Sequence, residues 1–181
     1  MIKTKTLAFT YNDYLAYTEH SDKRYELVEG ELNMVPSPSF RHQKVLGRLF
    51  TILNNYVLKN NIGELVIAPI DLYIDDISTL QPDIVFISKE KSYIIENNRI
   101  NGSPDLVIEI ISPSTVIRDR DIKKKLYARA EIMEYWIVEP DKKEVEVYNL
   151  SEEGYVLSGI HKNRLSSEIF AGLIINLSEI F

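Results

Sequence analysis

PDLVIEIISPST, residues 104–115, is an apolar, strand-like run with a glutamate inside it. Side chains alternate along a strand, so Asp105, Val107, Glu109 and Ile111 share one face while Leu106, Ile108 and Ile110 take the other. Both faces are largely apolar, which implies cover on both sides and a place inside a sheet. A carboxylate sealed from water without a partner costs several kcal/mol. Glu109 therefore has a compensating partner or carries a charge that is put to use.

A second acid stands in similar company. In QPDIVFIS, residues 81–88, Asp83 opens an apolar strand, and Pro82 suits only a strand start or edge. If the two strands are neighbours, the carboxylates of Asp83 and Glu109 converge, and like charges that close require a cation or a shared proton. Mg²⁺ is a natural occupant, because it prefers hard oxygen ligands and keeps several waters. The plainer reading is an embedded Glu paired with Lys or Arg.

The next segment, RDRDIKKKLYARA (residues 118–130), has helical spacing. Advancing about 100° per residue from Ile122, the positions Leu126, Ala130 and Met133 define an apolar arc. Lys123 lies near the edge of that arc, and Lys124 and Lys125 point to solvent. One lysine of three thus faces the sheet, where it can pair with Glu109 or hold a water or phosphate oxygen.

Outward from this centre, Thr10 and Asp13 have the spacing of a capping box before a short helix. YELVEGELNMV (residues 25–35) reads as a hairpin turning at Glu29-Gly30. Within SPSFRHQKVLGRLFTILNNYVLKNN (residues 37–61), Val45, Leu46, Leu49, Leu53, Tyr56 and Val57 mark the first long helix. ELVIAPIDLYI (residues 64–74) reads as a strand-like segment, EYWIVEP and EVEVYNL as strands joined at Asp141-Lys142-Lys143, and the tail as edge structure. The middle of the chain is therefore helix, three strands, helix, strand, in a single domain spanning residues 1–181.

The 181 residues are 45% hydrophobic and 27% charged, enough for one core. Cysteine is absent, which excludes disulfides and thiolate metal sites, and three histidines make a three-histidine zinc site a poor fit. No run approaches a membrane span or a signal peptide, so the expectation is a soluble, cytoplasmic protein with no membrane partner. A net charge of -6 argues against a broad non-specific nucleic-acid binder, although a local basic patch is compatible with it.

YELVEGEL, SPSFRHQKVLGRL, QPDIVFIS, PDLVIEIISPST, RDIKKKLYARA and EYWIVEP, in that order, resemble the Uma-two family of restriction-endonuclease-like proteins, a branch of the PD-(D/E)xK nuclease superfamily. The resemblance implies an α/β, restriction-endonuclease-like core with an N-terminal helix and hairpin and C-terminal β additions. It matches Asp83 to the "PD" aspartate and Glu109 to the following acid, the pair that binds a divalent metal, Mg²⁺ or Mn²⁺. Ile111 stands where the superfamily has its lysine, and Lys123 matches the helix lysine that takes its place in this family. Glu31 and His42 match further recurrent positions, His42 with a core or surface role equally open. Asp71 also matches, without an assignable role, and Asp105 reads as a structural acid.

The activity implied is metal-dependent endonucleolytic hydrolysis of phosphodiester bonds, in DNA, with Arg41, Lys44, Arg48, Arg118, Arg120 and Lys124 available to a substrate groove. A homodimer would suit two-strand cleavage. The competing expectation is a non-catalytic binding or assembly module that keeps the nuclease fold, favoured by the acidic pI and the displaced lysine. A hydrolase of smaller phosphoesters, needing no long groove, is a third.

Overall fold

A computed structural model describes residues 8–112 and 118–181. It places a six-stranded sheet at the centre, in the order β11-β10-β9-β8-β6-β3. These strands are β3 (Gly63–Ile67), β6 (Ile84–Ser88), β8 (Leu106–Ile110), β9 (Glu134–Glu139), β10 (Glu144–Ser151) and β11 (Gly154–His161). A five-stranded sheet combines β1 (Tyr25–Val28), β2 (Glu31–Met34), β4 (Asp71–Asp75), β5 (Ser78–Leu80) and β7 (Arg99–Asn101). The tail adds the small pair β12 (Arg164–Leu165) and β13 (Ile175–Asn176), followed by α4 (Leu177–Ile180).

All five residues of β8 are buried, as its two apolar faces require. Leu106, Ile108 and Ile110 pack with the long helix α2 (Phe40–Asn60) and the tail, and Val107 and Ile111 pack into a second core with Leu126, Tyr127 and residues of the smaller sheet. β8 and β9 run parallel, and the chain between them crosses through α3 (Lys124–Arg129). This is the helix, three strands, helix, strand core expected from the sequence. Among the described residues, no helix is long and apolar enough to cross a membrane.

Local signals set the ends of the elements. Thr10 and Asp13 form the capping box of α1 (Tyr11–Thr18). Glu29 and Gly30 both have positive φ, 50° and 82°, as a type I′ turn requires for strands of natural twist. Ser39 caps α2, whose Val45, Leu46, Leu49, Leu53 and Val57 are buried along one stripe.

Two expectations need correction. ELVIAPIDLYI is not one strand: the chain bends at Ala68-Pro69, so β3 joins the central sheet and β4 the smaller one. Proline has no N–H for a sheet ladder, which makes it the natural breakpoint. The segment after β8 is a π-helical turn, Arg118–Lys123, running into the short α3. Its buried face carries Asp119, Lys123, Leu126 and Tyr127, while Ile122 and Met133, proposed as arc residues, are 39% and 56% exposed. An arc drawn from apolar residues alone was offset by one position, because two residues of the true buried face are charged and pair with each other.

Candidate active site

The register between β6 and β8 decides the relation of the two acids. Ile84 stands opposite Ile108, Val85 opposite Val107 and Phe86 opposite Leu106. One step further places Asp83 opposite Glu109, and directly opposed residues project from the same face. The Asp83 carboxylate also completes the end of the ladder: Oδ2 accepts the Ile110 N–H at 2.7 Å. Oδ1 lies 3.1 Å from His42 Nε2, carried by the first turn of α2.

Lys123 is the hub of the site. Its Nζ donates to Glu109 Oε1 and to Glu26 Oε1, each at 2.9 Å, and lies 3.5 Å from Asp119 Oδ1. Tyr127, four residues on and therefore on the same helix face, donates its hydroxyl to Glu109 Oε1 at 2.6 Å. Glu26 Oε1 also accepts the Gln81 N–H at 2.9 Å. Glu26, Glu109, Asp119 and Lys123 are all buried. With Asp83, His42, Arg24 and Gln81 they line a cavity of about 230 Å³.

Burial pushes the Glu109 carboxyl well above the ordinary carboxylate range; Lys123 pulls it back, and the charges of Asp119, Asp83 and Glu26 push it further up. Burial acts to discharge Lys123, but Glu109, Glu26 and Asp119 outweigh it and hold the ammonium protonated. Burial likewise opposes the charged form of His42, and the hydrogen bond and charge of Asp83 reverse that, leaving its pKa raised.

Four carboxylates line the cavity, from Glu26, Asp83, Glu109 and Asp119, against the cations Lys123 and Arg24. His42, its pKa raised by Asp83, stands in the same lining. Hard oxygen donors are the kind that Mg²⁺ and Mn²⁺ take, and Mg²⁺ needs only one or two carboxylates because it keeps its waters. Among the described residues, the acidic group whose ligand atoms lie mutually within 4.8 Å is a different one, Glu139, Glu144 and Glu146. That trio is already met by Arg120, Lys142 and Lys162. The cations already on the tighter trio count against a metal ion there.

The profile of the Uma2 family, described as "Putative restriction endonuclease", matches residues 11–178. The chain belongs to the Uma2 family. A crystal structure of a putative nuclease of DUF820 from Anabaena variabilis has the same fold, with a TM-score of 0.78 at 20% identity over 96% of this chain and 97% of that one. Two Synechocystis proteins, slr1290 and sll1609, both named uncharacterized, are 26% and 23% identical. They align over 78% and 82% of this chain and 74% and 84% of their own lengths.

In this Uma2 chain the fold brings Asp83, Glu109, Lys123 and His42 together, as their sequence positions suggested. Glu31 does not join them: it sits exposed at the hairpin end of β2, opposite Val28. Glu26, in the partner strand β1, fills the place. Glu26 carried the same signal as Glu109, an acid among Tyr25, Leu27 and Val28, and went unread. Asp119 and Tyr127 were legible as positions i−4 and i+4 from Lys123. Asp71 supports the site from behind, accepting from Gln81 Nε2 and the Tyr14 hydroxyl at 2.9 Å each. Asp105 is structural, accepting the Ser88 N–H and pairing with Lys91.

The expected basic groove is not built as proposed. Arg41 is clasped to Asp141 and the Pro140 carbonyl, Arg120 to Glu139 and Glu146, and Lys124 lies over the Tyr148 ring. Lys125 is exposed as expected, and the side chain of Arg118, like residues 113–117, lies outside the described residues.

Proposed function

We propose that this chain is a divalent-metal-dependent endonuclease that hydrolyses phosphodiester bonds in DNA. The observation that carries this reading is a sealed Glu109 opposed in register by Asp83 and tied to a charged Lys123. Asp83 and Glu109 would hold Mg²⁺ or Mn²⁺, and the bound cation supplies Lewis acidity, acidifying water and offsetting charge that develops on the phosphate. The protein does the rest by position. Tyr127 and Lys123 fix Glu109 Oε1, His42 fixes Asp83 Oδ1, and Lys123, on turning from one of its three carboxylates, would offer its ammonium to the attacking water or a phosphate oxygen. Lys123 arrives from the helix, so the site tolerates Ile111 at the motif position.

Purified protein should nick or cut DNA in Mg²⁺ or Mn²⁺ and not in EDTA. Asp83→Asn should remove that activity while its side-chain oxygen still accepts from Ile110, so the far-ultraviolet spectrum stays unchanged. Cleavage of RNA alone would move the substrate class. A wide panel of DNA and RNA substrates without metal-dependent cleavage would leave the alternative, a non-catalytic nuclease-fold module. That alternative draws on one feature: Asp83 and Glu109 already have protein hydrogen-bond partners, as acids in a purely structural network do.

A further inference from the structure

Of the six bases the sequence offered to a substrate groove, Arg41 and Arg120 are paired with acids, whereas Lys44 and Arg48 line a groove on α2. Other bases are available. At the far side of the Arg41 clasp, the β9–β10 turn and the tail enclose a cavity of about 430 Å³. Lys143, Lys162 and Arg164 line it with Asn163, Asn176, Leu177, Ser178 and Phe181, a set with three cationic side chains and no Asp or Glu. Among the described residues, no ion pair joins Lys143 or Arg164 to a carboxylate, and Lys162 pairs with Glu144 at 3.5 Å. In a chain of net charge -6, such a concentration of cations is local and specific.

Contacts along α2 run from this cavity towards the candidate active site. Arg41 holds the β9–β10 turn against the start of α2, one residue before His42. Lys44 Nζ donates to the carbonyl of Phe181, which lines the basic cavity. Lys44 and Arg48 line a shallow groove on α2, and Gln43 belongs to both that groove and the Asp83 cavity. The acids along this route are each engaged: Asp141 by Arg41, Glu144 by Lys162 and Glu179 by Asn176.

We propose that Lys143, Lys162 and Arg164, continued by Lys44 and Arg48, form a phosphate track that holds the sugar-phosphate backbone of a nucleic acid leading into the Asp83 cavity. The track relies on the nuclease reading only for the identity of the polyanion. Lysine and arginine neutralise backbone phosphates without reading sequence, and asparagine and serine side chains donate to phosphate oxygens. The track therefore supplies affinity and register, and the Asp83 cavity supplies chemistry.

The test is equilibrium binding of a fluorescein-labelled DNA duplex, and of the matching RNA, in EDTA so that nothing is cut. Lys143→Glu combined with Arg164→Glu should weaken binding about tenfold or more and reduce the slope of log K against log salt by about 2. Lys59→Glu, at the other end of α2, should leave binding within about twofold, and melting curves confirm folding of each variant. Equal weakening by Lys59→Glu, or no weakening in the double variant, overturns the track and leaves the nuclease reading standing. A protein that binds through these residues yet never cleaves with metal keeps the track and loses the activity. A wild-type chain that binds neither polymer loses the track, and with it any substrate held by backbone charge.

Discussion

Glu109→Gln should lower metal-dependent cleavage by about a thousandfold or more while leaving the protein folded. Glutamine keeps the shape of the side chain and can still accept from Tyr127 and Lys123, but it cannot supply the charge that holds a divalent cation. Stability gives an independent signature. The carboxyl of Glu109 is raised in the folded protein, first by burial and then by Asp119, Asp83 and Glu26 against the pull of Lys123. Above the ordinary carboxylate range the unfolded chain has released this proton and the folded chain retains it, so metal-free stability falls as pH rises through that window. Glu109→Gln has no proton to lose there, so its stability should decline less as pH rises from the ordinary carboxylate range towards the raised pKa of Glu109. Urea denaturation in EDTA at the two ends of the window measures the difference. Equal slopes for the two proteins would mean that Glu109 titrates as an ordinary acid.

Lys123→Met should be the most destabilising single change in the site. Methionine fills the volume of the lysine stem but leaves Glu26, Glu109 and Asp119 facing one another without their shared cation. Removing one partner of a buried ion pair costs about 3–5 kcal/mol, because the remaining charge stays sealed from water. The loss should be full at pH 8 in EDTA and shrink as pH falls, since the acids can then take up protons. The lysine's own titration does not interfere. Its folded pKa lies above that of an ordinary lysine, so its contribution is complete below the ordinary value and is lost only as pH rises through the folded pKa. Urea midpoints that shift by less than about 1 kcal/mol at pH 8 would show that the three acids have another source of compensation.

The central motif was legible because burial and charge conflict within it. An acid in an apolar strand demands a partner, and that reasoning led from Glu109 to Asp83 and Lys123 without any contact being visible. The same rule points to Glu26, an acid among Tyr25, Leu27 and Val28, whereas Glu31 rested on the family resemblance alone. The helix after β8 was harder. Periodicity assumes that the buried face is apolar, and here Asp119 and Lys123 occupy it as a mutually compensating pair. The split of ELVIAPIDLYI was written in Pro69, although the transfer of β4 to a second sheet depends on pairings with β5 and β7 that are remote from any local pattern. The availability of surface bases could not be read from sequence, because Arg41 finds Asp141 a hundred positions away.

The most direct test of the account is a crystal soaked in Mn²⁺ and measured for anomalous scattering. Density at the carboxylates of Asp83 and Glu109, with Lys123 displaced from or reoriented beside Glu109, is the result the account predicts. Density only at Glu139, Glu144 and Glu146, or none in a crystal whose Asp83 cavity is open to solvent, would contradict it.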